Sequence, residues 1–386
     1  MRLWNTETRN LQPLRVGAAR PVGVYVCGIT PYDTTHLGHA FTYVTVDVLI
    51  RTLRATGLAV RYVQNVTDVD DDIMKRAREL GTTWDRLAAD ETALYQADMA
   101  ALNVLAPDVF PRASQTIDKI IELNALLVAQ GHAYVRDGNV YFRVSSITDY
   151  GRLSRLPRDE MVRLSADRGA DPGDPRKQDP LDFLLWQRSA PDEPRWASPW
   201  SDGRPGWHVE CSAMALQHLG EQVDVHGGGA DLIYPHHESE IAQSESVTGI
   251  RPFARTWMHV GMLRFEGEKM SKSLRNLVLV RDLLSRYDAD SIRVTLLRHH
   301  YREAWEYEEG ELVDAAAWVD RLRDCADHAG EGAGPTALVL DALQDDLDTP
   351  RALQAMKRAA EHGDPGWRAA AGLLGLRLSH GDTRRK

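Results

Sequence analysis

Apolar residues in the first half of the chain fall into short continuous runs separated by stretches of helical periodicity. Val22 to Val26 (Val-Gly-Val-Tyr-Val) is apolar at every position, the pattern of a strand covered on both faces. Residues 38–53 follow with helical spacing and stop near Gly57, and Val60 to Val63 reads as a second strand. Strand, crossover helix and strand at this spacing predict an α/β fold built on a Rossmann-like, doubly wound parallel sheet, whose ligands sit at the carboxyl ends of the strands. Cys27 lies at such an end.

Residues 83–131 read as helical, with Ile117, Ile120, Ile121 and Leu127 in one apolar stripe, and a hairpin is expected at Asp137-Gly138. Residues 145–206 are rich in Pro, Gly, Asp and Arg, and are expected to form a long loop without regular structure, a class of loop that usually carries function. The sheet resumes at Val223 to Val225 and at Trp257 to Val260, with a helix from about Pro235 to Thr248 between them. Beyond residue 280 the pattern is helical, and the stretch from Gly330 to Pro335 reads as a linker. Three units are expected: a sheet-containing domain over 1–276 with an insertion at about 83–206, a helical domain over 277–330, and a short helical piece over 335–386.

Charge and composition narrow the class. No run of 18 apolar residues could span a bilayer, and the N-terminal Met-Arg-Leu-Trp-Asn carries no export pattern, so a cytoplasmic protein is expected, most simply a monomer. Three cysteines, Cys27, Cys211 and Cys325, are an odd number spread over 386 residues, which speaks for reduced thiols. The net charge is −10, and residues 277–386 hold 15 basic against 20 acidic residues. That balance weakens the case for a large RNA partner, which a basic face would serve.

Three groups of residues carry candidate chemistry. The loop from Cys27-Gly28-Ile29-Thr30 to His36-Leu37-Gly38-His39 joins a strand to a helix N-terminus, where free amides and the dipole would suit a nucleotide phosphate. Taken alone, it is equally a loop with two solvated histidines. Lys269-Met270-Ser271-Lys272-Ser273 follows the last strand in a loop where two lysines could neutralise charge on a triphosphate. His236 and Glu240 stand four apart and share one helix face, a geometry suited to a common metal ion. A pair of thiolates, Cys27 and Cys211, with an imidazole would favour zinc over magnesium or calcium, although a buried cysteine is as readily a small apolar core residue.

The His-x-Gly-His and Lys-Met-Ser-Lys-Ser strings together resemble the nucleotide-binding signatures of class I aminoacyl-tRNA synthetases. Four further strings resemble cysteine-activating enzymes: Tyr25-Val26-Cys27-Gly28, Tyr62 to Asp71, Pro205 to Cys211, and Gly227-Gly228-Gly229-Ala230-Asp231-Leu232. Two families share them, the cysteinyl-tRNA synthetases and the mycothiol-pathway ligases that join cysteine to the amine of glucosaminyl-inositol. The resemblance implies ATP as substrate, accompanied by Mg2+, and one zinc ion held by Cys27, Cys211 and His236 and completed by the substrate thiolate. It also implies catalytic roles for His36, His39, Lys269 and Lys272. Cys27, Gly28, Ile29, Thr30, Thr42, Asn65, Val66, Thr67, Trp207, Gly229, Ala230, Asp231 and Leu263 are then expected to line the cysteinyl-adenylate pocket.

For the acceptor, Asp167 to Pro172 is similar to a signature of the mycothiol ligases, as are Asn276 to Val280 and Asp346 to Pro350. These imply an aminosugar-inositol acceptor, with tRNA as the alternative. A chain ending at residue 386 is expected to leave little room for an anticodon-binding domain. In the other direction, Glu240 resembles the fourth zinc ligand of the tRNA synthetases, and the N-terminus begins as theirs does.

Overall fold

The structure, a computed structural model, describes residues 1–17, 20–32, 35–270, 276–326 and 336–378. The first elements are β1 (Arg2–Asn5), β2 (Asn10–Pro13), β3 (Val22–Ile29), α1 (Leu37–Ala55), β4 (Val60–Val66), α2 (Asp71–Leu80) and α3 (Trp84–Ala101). They are followed by α4 (Ile117–Ala129), β5 (Ala133–Arg136), β6 (Asn139–Phe142), α5 (Arg158–Asp167), β7 (Phe183–Arg188) and β8 (Gly203–Pro205). Next come α6 (Trp207–Leu219), β9 (Val223–Gly229), α7 (Glu238–Thr248), β10 (Ala254–Val260), β11 (Leu263–Phe265) and β12 (Glu268–Lys269). The remainder is α8 (Val280–Leu284), α9 (Ala289–Leu297), β13 (Trp305–Glu306), α10 (Glu309–Ala326), α11 (Ala337–Gln344), α12 (Thr349–Glu361) and α13 (Trp367–Leu373).

The central sheet has the order β10-β9-β3-β4, and every neighbouring pair in it is parallel. Its strands are apolar runs because both faces are covered. Val22, Val24 and Val26 of β3 pack in one core cluster with α1. Tyr25 and Cys27 alternate to the opposite face, where they meet Cys211 of α6 and Ile241 of α7. This alternation aims Cys27 at α6 and α7.

The stretch from 145 to 206 departs from the expectation of an irregular loop. It contains α5 and two strands, β7 and β8, which complete an antiparallel sheet of order β5-β6-β7-β8. Phe183, Leu185 and Trp186 of β7 are buried and join a second core with Ile120 and Leu127 of α4 and Val209 and Ala213 of α6. The apolar run Phe-Leu-Leu-Trp therefore outweighs its polar flanks. The helical stretch predicted over 83–131 is also interrupted. α3 ends at Ala101, and Asn103 takes a left-handed φ of 59°, where its side-chain amide donates to the Gly375 carbonyl at 2.7 Å. The helix expected from Pro235 begins at Glu238, preceded by an irregular helical turn over Ile233–His237 in which Tyr234 is extended.

The chain beyond residue 280 is mostly helical, with the two-residue strand β13 lying beside β11. The Gly330–Pro335 linker lies outside the described residues. Among the described residues, no helix is long and apolar enough to cross a membrane.

Candidate active site

Four donors converge where β3, α6 and α7 meet. The Cys27 and Cys211 sulfurs are 3.8 Å apart, and Cys27 Sγ is 3.5 Å from Glu240 Oε1. His236 Nε2 is 3.1 Å from the same carboxylate oxygen. The ligand atoms of all four lie within 4.8 Å of one another, and all four residues are buried. His236 and Glu240 are one helical turn apart, so the i, i+4 geometry holds although His236 precedes the regular part of α7. Two thiols, an imidazole and a carboxylate enclosed at this spacing can hold a metal ion.

The charge state of the cluster agrees with that role. Burial pushes the Cys211 thiol up, but a hydrogen bond from Cys27 and the nearby His236 outweigh it and draw it down to about 6. Burial disfavours the His236 cation, yet Cys211 and Glu240 overcome this and raise it to about 10. For Glu240, burial is opposed by His226 and His236, which hold it down at about 2. Burial raises Cys27, reinforced by its bond to Cys211.

A ring of histidines surrounds the donors. His226 Nε2 meets Glu240 Oε2 at 3.0 Å, and His208 Nδ1 meets His236 Nδ1 at 3.1 Å. His237 Nε2 lies 3.3 Å from the Cys27 sulfur, and its other nitrogen is 2.7 Å from His259. Sequence reasoning missed His208, His226 and His259 and gave His237 no role. One available signal was their density, since six of the 14 histidines fall between residues 208 and 259.

Of the predicted pocket residues, Cys27, Gly28, Ile29, Asn65, Val66 and Gly229 lie at or near the ends of strands of the central sheet, and the others on the loops and helices next in the chain or on β11. Gly28 N donates to Asn65 Oδ1 at 2.8 Å, Asn65 Nδ2 to Thr67 Oγ1 at 3.2 Å, and Thr67 N to the Ile29 carbonyl at 2.9 Å. Val66 pairs with Ile29, and the Thr30 carbonyl accepts from Tyr32 N. Trp207 stacks obliquely on His236, with ring centroids 4.4 Å apart. Gly229 ends β9, Ala230 starts a short helical turn, and Asp231 in that turn pairs with Arg168 at 3.3 Å. Thr42 lies on α1 with its hydroxyl 3.4 Å from the Gly38 carbonyl, and Leu263 of β11 is buried near Gly38.

His36 and His39 stack with centroids 3.9 Å apart at the start of α1. The expectation of free amides at this helix end is corrected. Leu37 N donates to the Val278 carbonyl at 2.8 Å, and Gly38 N donates to His36 Nδ1 at 3.1 Å. The physical cause is a short antiparallel contact, His36 with Leu279, closed by Val280 N to the Thr35 carbonyl at 3.1 Å. This contact brings the chain leaving the lysine-serine motif onto the histidine motif. Lys269 belongs to β12, where its backbone pairs with Arg264, while Lys272 lies outside the described residues.

Comparison with known proteins agrees with this geometry. A family model described as tRNA synthetases class I (C) catalytic domain matches residues 13–317. The L-cysteine:1D-myo-inositol 2-amino-2-deoxy-alpha-D-glucopyranoside ligase of Acidothermus cellulolyticus is 48% identical, covering 91% of this chain and 87% of its own length. The ligase of the same name from Rhodococcus jostii is 46% identical, covering 98% and 95%. A cysteine–tRNA ligase of Paramagnetospirillum magneticum is 47% identical, covering 93% and 78%. Among solved structures, Mycobacterium tuberculosis methionyl-tRNA synthetase in complex with methionyl-adenylate superposes with a TM-score of 0.66 at 18% identity, covering 93% of this chain and 90% of that one, a likeness of fold. The chain therefore belongs to the class I (C) tRNA-synthetase family, together with the cysteine ligases it matches over most of its length.

Proposed function

We propose that this protein activates the carboxylate of L-cysteine with ATP and transfers the cysteinyl group to the amine of an aminosugar-inositol, glucosaminyl-inositol, releasing pyrophosphate and then AMP. The observation that carries the reading is the convergence of Cys27, Cys211, His236 and Glu240 at the carboxyl end of a parallel sheet. This donor set fits zinc, whose chemistry would be to bind the substrate sulfur as a thiolate and to prefer it to a serine hydroxyl. Selection by ligand chemistry removes the need for a separate editing step.

The chain's own residues then do the positioning. Gly28, its amide held by the Asn65 side chain, lets β3 and β4 close together at the strand end beside the donor cluster. His36 and His39, with Lys269 and Lys272, stabilise charge on the phosphates as the carboxylate displaces pyrophosphate in line at the α-phosphorus. Mg2+ accompanies the ATP. In the second half, the acceptor nitrogen attacks the cysteinyl carbonyl, an amide bond forms, and AMP departs with the bonding electron pair. Names borne by relatives at 44–49% identity support the sugar acceptor.

One observation favours a second reading, tRNA as acceptor. Glu240 places its carboxylate among the donors, at the position that resembles the fourth ligand of cysteinyl-tRNA synthetases. The deciding assay supplies ATP and labelled cysteine with either glucosaminyl-inositol or tRNA. Labelled amide with the sugar and no labelled tRNA is the expected result, and the reverse outcome would replace this reading with the second. Pyrophosphate exchange dependent on cysteine, with neither acceptor present, tests the activation step common to both.

A further inference from the structure

Asp231 and Arg168 form an ion pair that joins the insertion to the edge of the donor cluster. Asp231 lies in the helical turn after β9, and Gly228 at the end of that strand packs against the cluster, since a Cβ there would fall 3.3 Å from the His237 ring. The Asp231 carboxylate is folded back over the strand end: a Cβ on Gly229 would fall 2.6 Å from Oδ1. Its other oxygen, Oδ2, lies 3.3 Å from Nη2 of Arg168, and the same nitrogen donates to the Asp231 carbonyl at 3.4 Å. Arg168 caps the C-terminus of α5, and α5 grips this turn region a second time, where the Ser165 and Tyr234 hydroxyls are 2.9 Å apart. The Arg168 side chain also borders a small slot with His208, Pro235 and Ser239, each next to a donor in contact or in sequence.

We infer that Arg168 is a positioning residue for the α-ammonium of the substrate: reaching from the insertion, it holds Oδ2 of Asp231 so that Oδ1 stays over the strand end and meets the ammonium of a cysteine whose sulfur is on the metal. Two carbons separate sulfur from nitrogen in cysteine, so a bound sulfur keeps the ammonium close to the donor cluster, where a carboxylate oxygen is a strong acceptor for it. An ionised aspartate has two oxygens and accepts from two cations at once. Without Arg168 the carboxylate turns about its side-chain bonds, and ordering it again on binding costs affinity. The two cations also repel, but they sit on opposite oxygens and the Arg168 side chain is 35% exposed, so salt and water screen that repulsion. This inference rests on the reading of the site as one for cysteine, and deepens it by giving the insertion a part in holding that substrate.

The test compares the full chain with Arg168→Gln and Arg168→Lys, each loaded with Co2+, whose thiolate-to-metal charge-transfer band reports a thiol joining the ion. The probes are L-cysteine and 3-mercaptopropionate, which keeps the sulfur and the carboxylate but has no ammonium. Arg168→Gln should bind cysteine roughly 5-fold more weakly, the cost of ordering one more side chain, and should bind 3-mercaptopropionate as the parent does. Arg168→Lys should bind cysteine close to the parent level, because both contacts of Arg168 come from one nitrogen. In an Asp231→Asn background, Arg168→Gln should weaken cysteine no further, since the residue it acts through is already changed. Cysteine binding that is unchanged or tighter in Arg168→Gln, or an equal loss for both thiols, would overturn the inference and leave the cysteine site standing. A parent protein that takes up neither thiol would sink the reading of the site as well.

Discussion

At Gly28 the backbone of the site leaves no space for a side chain. A Cβ there would fall 1.5 Å from the Asn65 carbonyl oxygen and 2.6 Å from its carbon, so β3 and β4 would have to part. Gly28→Ala is expected to cost about 3 kcal/mol, the upper part of the overpacking range, measured as a lower urea midpoint. A midpoint unchanged within error would mean that the strands separate freely. Two other substitutions divide the labour of the site. His236→Ala removes a donor, and its loss of zinc affinity should exceed the ~10–100-fold seen when a group behind a ligand is removed. Lys272→Ala should leave zinc content intact while lowering cysteine-dependent pyrophosphate exchange by about 10²–10³-fold, the usual size of one lost charge-stabilising donor. Zinc lost from the lysine variant would contradict this separation of roles.

At the scale of elements, one buried guanidinium holds the helical part against the sheet. Arg293 of α9 is fully enclosed and donates to Asp47 of α1 at 2.5 Å, to the Leu102 carbonyl at 2.9 Å and to the Leu374 carbonyl at 2.7 Å. Arg293→Met should cost about 3 kcal/mol, because it removes the donor to the Leu102 and Leu374 carbonyls and one of the cations on Asp47, whose carboxylate keeps Arg51 and the Leu105 amide. The double variant Asp47→Leu/Arg293→Met should recover a substantial part of that loss, as replacing both members of a buried pair often does. Urea unfolding of the two variants checks both numbers, and equal stabilities would argue against the pair. This anchor was not legible in the sequence, since Asp47 and Arg293 are 246 residues apart. What was legible followed from local pattern. Val22 to Val26 and Val60 to Val63 are dense apolar runs, and both are strands of the central sheet. By contrast, α5 was hidden because it buries only Met161 and Ser165, and β8 because it is three residues long. In the site, His236 and Glu240 were legible from their spacing of four, whereas joining them to Cys27 and Cys211 took the resemblance, because the two cysteines stand 184 positions apart. His226 gives no local signal: it lies inside a buried strand, and its partner Glu240 is on a different element.

For the molecule as a whole, the donor cluster joins segments that nothing local holds together. Cys27 comes from the first strand of the parallel sheet, Cys211 from a helix after the insertion, and His236 and Glu240 from the crossover between β9 and β10. A metal bound there is bound only by the assembled fold, so its binding energy adds to the stability of that fold. With free zinc at 100 times its dissociation constant, the stabilisation is about 2.7 kcal/mol. An unfolding entropy of roughly 2.1 cal/mol/K per residue then sets the rise in midpoint at about 3 °C for a chain of 386 residues. Each further tenfold in free zinc adds about 1.4 kcal/mol, or between 1 and 2 °C by roughly the same entropy. Calorimetry across a zinc series buffered by chelator should show this logarithmic climb in the parent and a flat line in Cys211→Ser. L-cysteine should raise the parent's midpoint further only where zinc is present, because its sulfur has no other soft partner in the site. A midpoint indifferent to chelator, with cysteine stabilising equally with and without the ion, would separate substrate binding from the metal and remove the basis for selecting cysteine over serine.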